Sequence, residues 1–319
     1  MVKVAVVQEP PVMLHREQTL ARAVELIEAA ADAGAKLVSF PETWVPGYPE
    51  WVWRLRPGAD EDLADEIHAR LLENSVDLER DQLQPVRDAA RRRSVTVSIG
   101  IHELDGRFSR GTLYNGLVLI GPGGEILNRH RKLMPTNPER MVWGQGDASG
   151  LRVVDTPVGR VGGLVCWENY MPLARFAVYA QGPDLYLAPT WDAGSGWIST
   201  IRHIALEGRC WVLGNGTALR GRDLPADFPG RDLLFPDLED WFNPGDSAVV
   251  APDGRIVAGP LRQEHGTLFA EIDPTAAAVA RRTLDVAGHY GRPDIFTLTV
   301  DDAARVPVSS EPAAGHAPS

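Results

Sequence analysis

The sequence is poor in cysteine. Its 319 residues hold two, Cys166 and Cys210, each in an apolar segment, so a disulfide framework is excluded. Together with eight scattered His they show no C-x-x-C or H-E-x-x-H spacing, and no metal centre is expected. Long apolar runs are missing as well. No stretch is long enough to span a bilayer, and the start, where Lys3 leads into a short β-like run, lacks export-signal architecture. Reduced thiols and a cytoplasmic location are therefore expected. Positive charge is in deficit: 32 Lys and Arg against 43 Asp and Glu leave a formal charge of −11. That balance argues against nucleic acid or an anionic membrane as the main partner. No G-x-S-x-G elbow occurs, which leaves a serine hydrolase unsupported. Pro122-Gly123-Gly124 is followed by neither Lys-Ser/Thr nor a helix, so it reads as a turn rather than a phosphate loop.

What is present is an ordinary globular composition, 44% apolar and 24% charged, on a chain long enough to bury a large core. Length alone suggests two domains. Lys3 to Gln8 reads as a strand, Glu17 to Ala33 as an amphipathic helix stopped by Gly34, and Ala35 to Phe40 as a second strand. This βαβ opening points to α/β architecture. Asp60 to Glu73 and Asp81 to Arg93 have helical periodicity, whereas Val95 to Glu103 alternates and predicts a strand with one well-buried face. Leu113 to Ile120 and Glu125 to Arg131 predict a hairpin.

Three stretches carry candidate chemistry. Glu42 follows the second strand inside a loop dense in Pro and aromatics, a place where apolar walls can tune a general base. Lys132 follows the Glu125–Arg131 strand; alone it would read as a solvated surface cation. Cys166 ends the apolar run Val161–Val165 and precedes a helix expected over Met171–Ala180. A lone cysteine is more often inert core, but a helix start can stabilise a thiolate or an oxyanion. Their combination matters more than any one of them. A thiol that must attack needs a base for its proton and a cation for the charge that develops on the substrate. Each of the three stands at or just past a predicted strand end, where neighbouring strands can converge on one cleft.

The segments FPETWVPGYP, HRKLMPTNPERMVWGQGD and CWENYMPLAR resemble the three motifs of the nitrilase branch of the carbon–nitrogen hydrolase family. The likeness runs from about residue 2 to 298 and includes GHYGRPD near the end. The resemblance implies a four-layer α-β-β-α sandwich, and the length-based expectation of two domains yields to one domain over residues 1–306. It implies Glu42 as general base, Lys132 as catalytic lysine, Cys166 as nucleophile and Glu139 as a second glutamate beside the lysine. Tyr48, Trp167 and Trp191 are the expected substrate-binding residues. The implied reaction takes an organic nitrile to its carboxylic acid and ammonia through a thioimidate and a thioester, with no metal or other cofactor. A cyanide-degrading relative or an aliphatic amidase of the same family would use the same residues.

The remainder fits that plan. Leu151–Thr156 with Gly159–Val165, and Ser247–Ala251 with Arg255–Ala258, predict hairpins; Leu185–Ala188, Cys210–Gly214 and Gly266–Ile272 predict strands. Ile198–Gly208 and Pro274–Arg281 predict helices. Cys210, with no charged companion in a motif, reads as core. The stretch 220–244 reads as a long loop whose Leu233, Leu234, Phe235, Trp241 and Phe242 offer exposed apolar groups for self-association into a homo-oligomer. His289 reads as structural or interfacial, and residues 307–319 as a flexible tail.

Overall fold

A run such as Val4-Ala5-Val6-Val7 makes a strand that must be covered on both faces, because alternate side chains point to opposite sides. The computed structural model, which describes residues 1–306 and 308, meets that demand with two stacked sheets between helices. The expected tail, residue 308 apart, lies outside the described residues.

The first sheet runs in the order β13 (Gly266–Ile272), β1 (Val2–Gln8), β2 (Leu37–Ser39), β3 (Thr96–Leu104), β4 (Leu113–Ile120), β5 (Ile126–Arg131). The β1–β2 and β2–β3 pairs are parallel, as the βαβ opening requires; the rest are antiparallel. In the second sheet the order is β10 (Ala218–Arg220), β11 (Trp241–Val250), β9 (Trp211–Gly216), β8 (Leu185–Thr190), β7 (Gly159–Gly163), β6 (Val154–Thr156), with β12 (Ile256–Arg262) also paired to β11. Val4 and Val6 join Leu37, Leu185, Leu187, Leu213 and Val249 in the core between the sheets. Ala5 and Val7 pack the other way, under α1 (Arg16–Asp32) and α3 (Gln84–Arg93), with α2 (Glu61–Asn74) nearer the loop-rich end. On the far side α4 (Pro172–Tyr179) and α5 (Ser195–Gly208) cover Tyr186, Ala188 and Val212. Each such Val or Leu side chain contributes about 1.5–3 kcal/mol when fully buried. The layers are those of the expected sandwich.

Two expectations need correction. β3 is buried on both faces, not one: Val97, Ile99 and Ile101 meet the helix layer, while Thr96, Ser98, Gly100 and His102 are buried opposite. Alternating polarity signalled a water-facing side, but these small or neutral polar groups tolerate burial. The stretch 220–244 is not one loop. It contains β10's end, a short helix α6 (Arg231–Leu234) and the start of β11, and a last helix α7 (Thr275–Arg281) follows β13. Its apolar residues mostly turn inward: Leu234 and Phe235 are buried with Trp51 and Phe228, Trp241 and Phe242 are half-buried, and Leu233 and Leu238 stand exposed. The helix expected over Met171–Ala180 is found as α4, with a 3₁₀ turn over Cys166–Tyr170 before it.

Candidate active site

Glu42, Lys132 and Cys166 leave β2, β5 and β7 at the same end of the two sheets. Close backbone approach makes the first placement possible. A Cβ on Gly100 of β3 would lie 2.2 Å from the Pro41 carbonyl oxygen and 2.4 Å from the Thr43 nitrogen. Only glycine lets the turn bearing Glu42 cross that strand.

Lys132 is fully buried, and its Nζ donates to Glu42 Oε1 and to Glu139 Oε2, at 2.8 Å each. Both carboxylates are held from behind. Asn115 Nδ2 of β4 donates to Glu42 Oε1 at 2.7 Å, and the Trp191 backbone N–H donates to Oε2 at 2.7 Å. Tyr48 OH donates to Glu139 Oε1 at 2.7 Å, and the Thr136 N–H to Oε2 at 2.6 Å. One ammonium between two carboxylates leaves a surplus negative charge in a dry site. Burial and Glu139 accordingly raise the Glu42 carboxyl above its ordinary range, although Lys132 pulls it down. Burial works against the charge of Lys132, but Glu42, Cys166 and Glu139 outweigh it and hold its pKa above the usual lysine value.

Cys166 takes a left-handed backbone, φ 52°, uncommon for a side-chain-bearing residue and sustained here by surrounding bonds. Asn169 Nδ2 donates to the Leu164 and Cys166 carbonyls at 3.0 and 2.8 Å, and Tyr186 OH fixes that amide at 2.8 Å. Thr190 Oγ1 donates to the sulfur at 3.3 Å. Burial, then Glu42, push the thiol up, while Lys132 draws it down. The net shift of the thiol is upward, so burial outweighs Lys132 and the Thr190 hydroxyl. A thiol shifted in this direction favours its protonated form, and a base would be needed to ionise it.

A cavity of about 210 Å³ opens on Cys166 and Glu139, walled by Tyr48, Trp53, Trp167, Trp191, Asp192 and Phe242. All three aromatic residues expected at the substrate pocket line it. Tyr48 and Trp191 stack with ring centroids 4.4 Å apart and planes 5° apart. Trp167 is half-exposed at the rim and donates its indole N–H to Asp192 at 3.0 Å. His289 is exposed on the surface beside Tyr290, and Cys210 is buried under α4 and α5; neither reaches the site.

Several supporting groups were not foreseen. Glu168 is buried and accepts from the Leu133 N–H at 2.6 Å and the Val165 N–H at 2.8 Å, with His130 Nε2 at 3.0 Å. It thus ties the residue after Lys132 to the residue before Cys166. Those partners hold its carboxyl below the usual range despite burial. His102 accepts from Trp143 Nε1 at 3.0 Å and donates to the Gly47 carbonyl at 2.8 Å; burial keeps it neutral, with a pKa of about 3. Trp143 in turn presents its ring 5.8 Å from Lys132 Nζ. Glu50, in the turn after Tyr48, is buried and lifted to about 7 by burial, against the pull of Arg54 and the Trp191 indole. A lone Asn in the apolar strand Leu113–Ile120 was a legible signal for Asn115; nothing local marked the others as partners.

Residues 3–282 match the carbon-nitrogen hydrolase family. The chain belongs to that family, on its nitrilase branch. It is 37% identical over 315 residues to nitrilase 3 of Arabidopsis thaliana, covering 97% of this chain and 89% of that protein. It is 39% identical over 301 residues to an aliphatic nitrilase of Sinorhizobium fredii, covering 94% and 96%. Among solved structures, the NitFhit protein of C. elegans superposes with a TM-score of 0.70 at 21% identity, over 96% of this chain and 68% of that one. At that identity the match concerns the fold.

Proposed function

We propose that this protein is a nitrilase, converting an organic nitrile and two waters into a carboxylic acid and ammonia. The observation that carries the reading is the Lys132 ammonium 2.8 Å from each of two buried carboxylates, one of which, Glu139, lines a cavity together with the Cys166 thiol. Glu42, a stronger base than a free carboxylate, takes the proton of Cys166 as the sulfur bonds to the nitrile carbon. Lys132 and the backbone N–H after the cysteine stabilise the charge on the nitrile nitrogen, which takes up a proton to give a thioimidate. Water, deprotonated by Glu42, adds to the thioimidate carbon. The tetrahedral intermediate expels ammonia once its nitrogen is protonated, with Glu139 holding Lys132 in place for that transfer. A second water cleaves the thioester and returns the thiol. The scheme asks for no cofactor.

Ammonia release from a panel of aliphatic, aromatic and arylaceto nitriles, with matching amides and cyanide alongside, tests the reading. Nitriles are expected to turn over fastest. Turnover of the amides alone, or of cyanide alone, would replace the assignment with amidase or cyanide-degrading activity.

Residues 1–306 act as one catalytic domain in this reading, since the site draws on both sheets. Among the described residues no helix is long and apolar enough to cross a membrane, and two free, unpaired cysteines suit the cytoplasm. Self-association is supported by exposed Leu173, Tyr290, Ile295 and Phe296 around an apolar groove beside α4, rather than by the 220–244 segment. Light scattering that gave a 34.8 kDa monomer at working concentrations would overturn that part.

A further inference from the structure

Two walls of the cavity, the rings of Trp191 and Phe242, are held by one ion pair, between buried Glu50 and half-buried Arg54, that touches none of the reacting groups. Glu50 Oε2 accepts the Trp191 indole N–H at 3.0 Å, and Glu50 Oε1 accepts from Arg54 Nε at 3.2 Å. The Arg54 guanidinium lies over two rings that pack on each other, 4.7 Å from the centroid of Phe235 and 4.8 Å from that of Phe242. Its Nη1 also donates to the Leu234 carbonyl at 3.2 Å. The backbone of Trp191 is fixed separately: its N–H donates to Glu42, and its carbonyl accepts from Asn243 Nδ2. The main chain of Trp191 thus serves the base, whereas its ring takes its angle from Glu50 and from the stack on Tyr48.

We propose that Glu50, paired with Arg54, is the residue that sets substrate size selectivity, by fixing the rings of Trp191 and Phe242 as the cavity's outer wall. The role is one of positioning, and it rests on the nitrile-hydrolase reading above. A carboxylate at this place can bind an indole N–H with one oxygen and a guanidinium with the other, so one side chain orients both walls. An apolar replacement leaves the indole N–H and Arg54 without their acceptor. Both rings are then free to turn, and the wall that excludes bulky groups gives way.

The test compares kcat/KM for phenylacetonitrile and for propionitrile in wild type, Glu50→Leu, Glu50→Gln and Trp191→Phe. Glu50→Leu is expected to shift the ratio about tenfold toward the bulky nitrile, the scale of hydrophobic pocket discrimination. Glu50→Gln still offers an acceptor to the indole and should retain most of the wild-type ratio. Trp191→Phe, which removes the N–H donor and keeps an aromatic wall, should shift the ratio in the same direction. It also keeps the question answerable where Glu50→Leu fails to fold. Adding Glu50→Leu to Trp191→Phe should then add less than its effect alone, as expected of residues acting through one contact. An unchanged ratio in folded Glu50→Leu, or full additivity, overturns the inference. A crystal structure of Glu50→Leu separates this outcome from failure of the nitrilase reading. The Trp191 ring is expected out of its stack on Tyr48, and an unmoved ring overturns the inference whatever the substrate proves to be.

Discussion

Two thiols share this chain, and both lie deep within it. Cys166 and Cys210 are each buried, and burial raises the pKa of each, Cys210 to about 12. Acidity at rest therefore does not separate them. Their neighbours do. Cys166 faces a carboxylate of raised basicity, an ammonium and a Thr190 hydroxyl, at the edge of a cavity. Cys210 is packed among Tyr179, Tyr186, Ile204 and Val212, away from the cavity, where Arg281 draws its pKa down while Asp184 and Glu207 push it up. In the proposed reading, Cys166 attacks without a stable thiolate at rest, because its proton has somewhere to go when the substrate arrives.

The sharpest way to break this contrast is to remove each sulfur in turn. Cys166→Ala should lower ammonia release by roughly 10⁵-fold or more, as loss of a nucleophile does elsewhere, while Cys210→Ala should keep most of it. Mass spectrometry after a substrate quench should place the covalent adduct on Cys166; an adduct on Cys210 would reverse the assignment. Next in size is the charge beside the ammonium. Glu139→Gln keeps the shape but leaves Lys132 with a single carboxylate, and turnover should fall by about a hundredfold or more. The surviving product should contain a larger share of amide, because a tetrahedral intermediate that cannot release ammonia expels the thiol instead. Wild-type turnover with an unchanged acid-to-amide ratio would make Glu139 a loop-fixing residue only.

A smaller effect is expected from the brace that Cys210 lacks. Glu168→Gln weakens the tie between the Lys132 and Cys166 turns, and kcat should fall about tenfold, less than the hundredfold that a 1 Å misplacement can cost. KM and the product ratio should change little; a product ratio that moved as in Glu139→Gln would assign Glu168 a part in proton transfer. The last prediction concerns stability and isolates the burial half of the comparison. Glu50 has a folded pKa of about 7 against the ordinary 4.5, so between those pH values the folded state holds a proton that the unfolded state has lost. Its contribution to stability is present below pH 4.5 and declines as pH rises through 7. Denaturant titrations should show wild type losing stability relative to Glu50→Gln across that window. A constant difference would mean that Arg54 and Trp191 fully offset the burial.

The sequence alone determined the local alphabet: strand and helix periods, turn residues, and three motif loops whose chemistry was legible beside their resemblance to a known family. Glu42, Lys132, Cys166 and Glu139 could all be named from it, as could the aromatic wall of Tyr48, Trp167 and Trp191. Only the tertiary structure decided who supports whom. Glu42 meets a lysine 90 residues away and Glu50 an indole 141 residues away, and no periodicity encodes such pairings. Burial of His102 and Ser98 on the second face of β3, and of Leu234 and Phe235 in the 220–244 segment, escaped sequence reasoning for the same reason. Side-chain period tells which residues share a face, but what covers that face depends on how distant segments pack. The distinction between the two cysteines has the same origin: each sits in an apolar run, and only folding sets Glu42, Lys132 and a cavity against Cys166.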